Sequence, residues 1–438
     1  MAQIMCYIAA QELLKAEAIM ETFFYNYPNY VDNKNAGIEV RQQHEMTSDE
    51  LFFLHQASLD MYAPLEAWTA LGTNTQISYS THGIFRYFGK FPSTIATHLI
   101  MQYTKEFDTV MDPMGGSGTT VLEALLSNRN CRSYDVNPLS LLLAKVKTTR
   151  IDKQKLEESL ESIVREYKPL SVCEFDWQPV GIKNIDHWFL SETQDSIRGL
   201  IFLISKISDA DVRDFYNVCL SASIRTVSRA TTQQGRLFLD VVTAKKDCLD
   251  TFVKKAKKVI LAVSALPNKK VDLEISAHNA GESFDLDEVN NLIIVHPPYF
   301  NSYKYSSVNS LELAWMRVDH ASVRKNEVRE FFKVGKAEKI ACYVDDMSKT
   351  LNNVVATMKP GGIMALMIGD TIIKGEYIQA TKMLLDRFLA ENPQIKVEKI
   401  VLRVPKYTEA SWSASQRRKS DKVGISLNDF IVIFRRGT

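Results

Sequence analysis

An α/β fold on a mostly parallel, doubly wound sheet is predicted by three observations. A glycine-rich turn joins a short apolar strand to a helix in FDTVMDPMGGSGTTVLEALL. An acid, Asp135, closes the next strand at the interval expected of a βαβ unit. Strand-like apolar runs then resume after a long helical stretch.

Taken in order, QELLKAEAIMETFF, within Ala9 to Phe24, has amphipathic helical spacing, and the Asn- and Tyr-rich NYPNYVDNKN after it reads as a loop. A small N-terminal helical element is therefore expected over 1–75, ending in an aromatic connector that runs from Pro64 to Gly89. STIATHLI (Ser93 to Ile100) reads as a helix entering the main domain, followed by a strand from Phe107 to Met111, a helix from Thr119 to Leu126 and a strand ending at Asp135. These form one half of the sheet, over 76–150. From Ile151 to Asn268 the apolar spacing turns predominantly helical, as in IRGLIFLISKI and FYNVCLSASIRTV, and marks 151–270 as a helical insert. Strands over Val271 to Ile275, Leu292 to Val295, Ile363 to Ile368, Ile400 to Val404 and Phe430 to Phe434, with a helix near Met347 to Met358, complete the sheet over 271–438.

The 438 residues are 45% hydrophobic and 24% charged, the balance of a globular protein with a substantial core. A net charge of +1 gives no overall basicity, so a nucleic-acid partner must be held by local patches. Cys6, Cys131, Cys173, Cys219, Cys248 and Cys342 lie too far apart for a zinc spacing or a secreted disulfide framework, and no metal is expected. Without a signal-peptide pattern or an apolar run long enough to span a bilayer, the expectation is a cytoplasmic protein with no membrane partner.

Asp112 closes a strand, and Gly115, Gly116 and Gly118 form the turn that precedes the helix starting at Thr119. Glycines there let a ligand approach the backbone at a helix N-terminus. No Lys-Ser/Thr follows them, which argues against a phosphate-gripping loop, and Asp112 suits a cationic or amino-bearing ligand. Asp135, at the tip of the second strand, is placed to accept ribose hydroxyls, with Asn137 two residues beyond. Taken singly, each feature is equally an ordinary tight turn or helix cap; together they favour a nucleoside cofactor.

The segment NNLIIVHPPYFNSYKY runs an apolar strand into His296, Pro297, Pro298 and Tyr299. Here the chain resembles the S-adenosylmethionine-dependent amino-methyltransferases of nucleic acids. In that family a strand end carries Asp, Asn or Ser followed by Pro-Pro-Tyr, downstream of a glycine turn similar to the one from Asp112 and Pro113 to Thr120. GKFP, with Lys90, Phe91 and Pro92, resembles the family's segment bordering the methionine part of the cofactor. MKPGGIMALMIGDTIIKGEYI and LNDFIVIFRR are similar as well, so the resemblance spans roughly Phe85 to Leu143 and Leu273 to Phe434, most of all to bacterial site-specific N4-cytosine DNA methyltransferases. It implies a Rossmann-like class I methyltransferase fold, S-adenosyl-L-methionine as cofactor and methylation of cytosine N4 or adenine N6 in DNA. Asn279 stands where relatives often use Asp near the adenine amino group, and Asn291 replaces a frequent acid.

An exocyclic amine is a poor nucleophile because its lone pair is delocalised into the ring, so acceptors must draw on its hydrogens. The first side chain of the motif and the carbonyl of Pro297 can do so, with the prolines fixing the backbone. Tyr299 would stack on a base flipped out of its helix. The departure is His296 in place of Asp, Asn or Ser: a neutral imidazole can accept one hydrogen bond, whereas imidazolium offers only donors. Cytosine C5 chemistry needs a cysteine that follows a proline, and none of the six does.

Two segments combine basic and aromatic or polar residues and are the candidates for phosphate contact. SIRTVSRATTQQGRLF carries Arg225, Arg229 and Arg236 in the insert. PKYTEASWSASQRRKSDK carries Lys406, Tyr407, Trp412, Arg417, Arg418 and Lys419 near the C-terminus. DNA is the expected partner. The rivals are an RNA enzyme of the tRNA guanine-N2 kind and a catalytically inactive, nucleic-acid-binding relative.

Overall fold

The computed structural model describes residues 21–25, 36–62, 64–73, 75–233, 236–242, 246–300, 305–328, 339–373, 376–404 and 429–438. Among these residues ten strands form one sheet: β1 (Glu21–Tyr25), β2 (Ala36–Gln42), β3 (Leu65–Leu71), β4 (Thr109–Asp112), β5 (Asn130–Asp135), β8 (Leu273–Ala277), β9 (Asn290–Val295), β10 (Met358–Ile368), β13 (Ile395–Arg403) and β14 (Asp429–Arg436). Two separate hairpins supply β6 (Ala230–Gln233) with β7 (Arg236–Leu239), and β11 (Thr371–Ile373) with β12 (Glu376–Ile378).

The order across the sheet is β1-β2-β3-β13-β14-β10-β9-β4-β5-β8. β10, β9, β4, β5 and β8 are parallel, and β14 runs antiparallel between β10 and β13. The chain winds from β4 outward through β5 to β8, then returns to the other side of β4 with β9 and β10. This is the doubly wound arrangement that the sequence predicts. The order therefore reverses between β4 and β9, and the crevice beyond their carboxyl ends is where ligands enter such sheets.

Alternation along the strands explains why both faces are covered. Ile293 and Val295 of β9 enter one core, and Leu292 and Ile294 enter the other. The first core is closed by helices α1 (Ser48–Gln56), α10 (Ile340–Val355) and α11 (Ala380–Glu391). The second is closed by α2 (Ser93–Tyr103), α3 (Thr119–Leu126) and α4 (Pro138–Thr148). The insert adds α5 (Lys153–Glu166), α6 (Ser191–Ser205), α7 (Ala210–Val227) and α8 (Cys248–Ser264). These share a third core with Leu139 and Leu143 of α4 and with Leu311, Leu313 and Trp315 of α9 (Ser310–Trp315).

Two expectations need correction. Residues 21–24, expected as the end of an N-terminal helix, belong to β1, while the earlier part of that helix lies outside the described residues; within 1–75, β1, β2 and β3 extend the main sheet in register instead of forming a separate helical element. The connector from Pro64 to Gly89 holds β3, whose buried Trp68 packs against His98 of α2 at 4.6 Å between ring centres. The insert is mostly helical and also holds the paired strands β6 and β7.

Gly118 caps α3 in a left-handed conformation, at φ +78°. A Cβ there would lie 2.8 Å from Ala144 Cα on α4. Gly118→Ala is expected to lower unfolding free energy by about 2–4 kcal/mol, from the disfavoured backbone region plus the steric conflict. Urea unfolding monitored by circular dichroism measures this, and an unchanged midpoint would contradict it.

Candidate active site

The two strand tips open into one cavity. It is lined on one side by Asp112, Pro113, Gly115, Gly116, Thr119, Asp135 and Asn137, and on the other by His296 and Pro298. Lys90 and Phe91 border it together with Asn279, so most of the cofactor residues read from the sequence meet in one place. Pro92 lies just outside as the N-cap residue of α2.

The glycine turn is held by the carboxylate that follows it. Gly116 N–H donates to Asp135 Oδ2 at 2.8 Å, and Asn137 N–H donates to Oδ1 at 2.7 Å. The carboxylate, with about four lone-pair sites, keeps acceptor capacity for a ligand hydroxyl. Asp112 Oδ1 accepts from Met114 N–H at 3.1 Å, which turns the chain sharply away from β4. Asn137 caps α4 by accepting from Leu139 N–H at 3.0 Å, and Asn279 Oδ1 accepts from Gly281 N–H at 3.0 Å. Burial pushes the Asp112 carboxyl up to about 7, against hydrogen bonds from Thr120 and Met114 that lower it. Burial likewise pushes Asp135 up to about 6. Two carboxyls held this way gain from a cationic ligand that favours their ionised form.

Three buried polar atoms on the cavity wall have no partner among the described residues: Ser117 Oγ, Asn137 Nδ2 and His278 Nε2. Such atoms are costly unless a ligand or water satisfies them. With the glycine turn and paired carboxyls, they fit a nucleoside carrying a cationic tail. Tyr87, Ser117, His278 and the segment 326–328 are lining residues that sequence reasoning missed. His278 could have been found, since it directly precedes Asn279; Tyr87 could have been found from its place two residues before Gly89.

At the second tip, His296 Nε2 and the Tyr299 hydroxyl are 3.1 Å apart, and Phe91 meets the imidazole edge-on at 5.2 Å. Burial lowers His296 to about 4, with Asp429 pulling it up and Arg403 pushing it down. The imidazole is therefore neutral at pH 7, as an acceptor must be. Tyr343 O–H donates to the Pro298 carbonyl at 2.9 Å, which anchors the tip to α10.

The basic residues are dispersed. Arg225 departs from its expected role, because its guanidinium binds Glu312 at 2.9 Å and the Val308 carbonyl, holding α7 to α9. Arg229 lies two residues beyond the end of α7, with Nη1 3.4 Å from the Asp186 carbonyl. Arg236 begins β7. Lys406, Tyr407, Trp412, Arg417, Arg418 and Lys419 lie outside the described residues. Among the described residues no cluster of His, Cys, Asp or Glu could hold a metal, and no helix is long and apolar enough to cross a membrane.

Residues 21–145 match the family model described as DNA methylase. The type II methyltransferase M.MvaI of Kocuria varians is 24% identical over 291 residues, covering 58% of this chain and 61% of that protein. M.BsoBI of Geobacillus stearothermophilus, also a type II methyltransferase, is 27% identical over 306 residues, covering 62% and 57%. A third, M.MjaII of Methanocaldococcus jannaschii, is 32% identical over 90 residues, or 20% and 17% of the two chains. The chain thus spans about three fifths of the length of the first two relatives.

Proposed function

We propose that this chain, a member of the DNA amino-methyltransferase family, methylates an exocyclic amino nitrogen, cytosine N4 or adenine N6, of a base flipped out of DNA. The observation that carries this reading is the shared cavity: the turn from Asp112 to Ser117 and the tip at His296 and Pro298 line the same space. S-adenosylmethionine, when bound, supplies a methyl group on a cationic sulfur. Asp112, Asp135, Asn137 and Asn279 would hold it, with the Gly115–Ser117 backbone beneath and Lys90 and Phe91 at its flank.

His296 and the Pro297 carbonyl accept the two amine hydrogens and turn the nitrogen lone pair toward the methyl group. This role requires the tautomer in which His296 Nε2–H donates to the Tyr299 oxygen, leaving Nδ1 to accept. Tyr299→Phe keeps the stacking ring but removes that partner. It is expected to lower kcat about tenfold with little change in KM for DNA, whereas Tyr299→Ala raises KM as well, since base stacking contributes about 1–3 kcal/mol. Steady-state kinetics on both variants tests this, and an unchanged kcat in Tyr299→Phe would remove the tautomer argument.

Incubation with labelled S-adenosylmethionine and either DNA or RNA, followed by digestion to nucleosides, tests the reading directly. N4-methylcytosine or N6-methyladenine from DNA supports it. N2-methylguanine from tRNA replaces it with the RNA reading, and no label in either leaves a binding protein.

A further inference from the structure

We propose that Asp429, at the start of β14, is the counter-charge for His296 during proton uptake from the methylated amine, an inference that rests on the amine-activating role given above to the tip. The sheet places it there. β14 runs antiparallel beside β10, with Phe430 opposite Ile368, and Arg403 at the end of β13 lies opposite Asp429. The ends of β9, β10, β13 and the start of β14 therefore share one edge of the sheet.

Gly369, just past β10, brings the groups together. A Cβ on it would lie 3.1 Å from Cδ2 and Cε2 of Tyr299 and 3.2 Å from Asp429 Oδ1. The Tyr299 ring and the Asp429 carboxylate thus close on the same backbone point, and the Tyr299 hydroxyl reaches His296. Arg403 sends both Nε, at 3.0 Å, and Nη2 to the other oxygen, Oδ2, which leaves Oδ1 on the Gly369 and Tyr299 side. The pair is only 14% and 15% exposed, so its field is weakly screened. Across the cavity, His296 also faces Lys90, Asp112, Asp135, His278 and Glu327; the charges that bear on its protonation are Asp429, which favours imidazolium, and Arg403, which opposes it.

The chemistry needs such a group. As the N–C bond forms, the S–C bond breaks with its electron pair kept by sulfur, and one amine proton passes to His296. The positive charge that began on sulfur ends on the imidazole. A carboxylate in the tip's first position would neutralise it directly; a neutral histidine cannot, and Asp429 supplies the negative charge from the neighbouring strand. Asp429 acts through His296 and touches no substrate.

The test compares two variants that break the same ion pair. Asp429→Asn is expected to lower kcat about 30-fold, the cost of one removed electrostatic partner, with KM for both substrates within about threefold of wild type. Arg403→Gln keeps the carboxylate and is expected to lower kcat far less, with the acid limb of its pH profile moved to higher pH. Titration of ¹⁵N-histidine-labelled protein by NMR should show the same upward shift for His296 in Arg403→Gln, independent of turnover. Equal losses of kcat in the two variants, or an Asp429→Asn enzyme with wild-type kcat, overturns the inference. A wild-type protein that methylates no DNA overturns the functional reading itself, and the wild-type control separates that result from the other two.

Discussion

His296→Ala is expected to reduce kcat by about two to three orders of magnitude, the cost of losing a positioned acceptor from a site that must draw on a weakly nucleophilic amine. His296→Asn restores an acceptor and should recover much of that loss. The pH profiles carry more information than the rates. Because burial holds His296 near 4, wild-type kcat should stay flat from neutral pH down to about 5 and fall only as imidazolium forms. His296→Asn should lack this limb. The same shift bears on stability: a histidine whose folded value lies below the unfolded 6.5 stabilises the fold above that pH, and the contribution is lost as pH falls toward 4. His82 and His98, also lowered to about 4 by burial, act in the same window, so acid unfolding should persist in the variant. A wild-type limb centred near 6.5, or an unchanged limb in His296→Asn, would remove His296 from the reaction.

Asp135→Ala is expected to weaken S-adenosylmethionine binding by about 100-fold, near 2.7 kcal/mol. The carboxylate organises the turn through Gly116 and Asn137 before any ligand arrives, and its loss frees both amides. Binding should also depend on pH. The raised values of Asp112 and Asp135 mean that burial keeps both carboxyls protonated to higher pH than a free carboxyl. Their contribution to stability is full below the unfolded value near 4 and is lost as pH rises through about 6 to 7. A cationic ligand reverses that preference, so binding should release protons and tighten between pH 6 and 8. Calorimetry in buffers of different ionisation enthalpy counts those protons. A wild-type affinity flat across this range would contradict the electrostatic account.

The parts of the site legible in the sequence are those set by short-range backbone chemistry. A strand, a glycine turn and a helix leave their marks within about twenty residues, as does a strand ending in Pro-Pro-Tyr, so Asp112, Asp135 and His296 could be placed without coordinates. What escaped depends on partners distant in sequence. β3 is a strand because β2 and β13 lie beside it, and its alternation of polar and apolar residues alone did not set it apart from a connector. Arg225 looks like any exposed cation until Glu312, 87 positions away, is placed against it. The Asp429–Arg403 pair was likewise invisible, since only strand order brings it to the edge where His296 sits.

The seam between the insert and α9 bears on engineering. Trp177 Nε1–H donates to the Trp315 carbonyl at 3.0 Å, Val180 N–H donates to the Ala314 carbonyl at 3.1 Å, and Arg225 grips Glu312. A chimera that exchanges 151–270 between homologues would cut through all three. Transplanting 305–316 along with the insert keeps the graft's own underside intact, and that is the cassette boundary to choose.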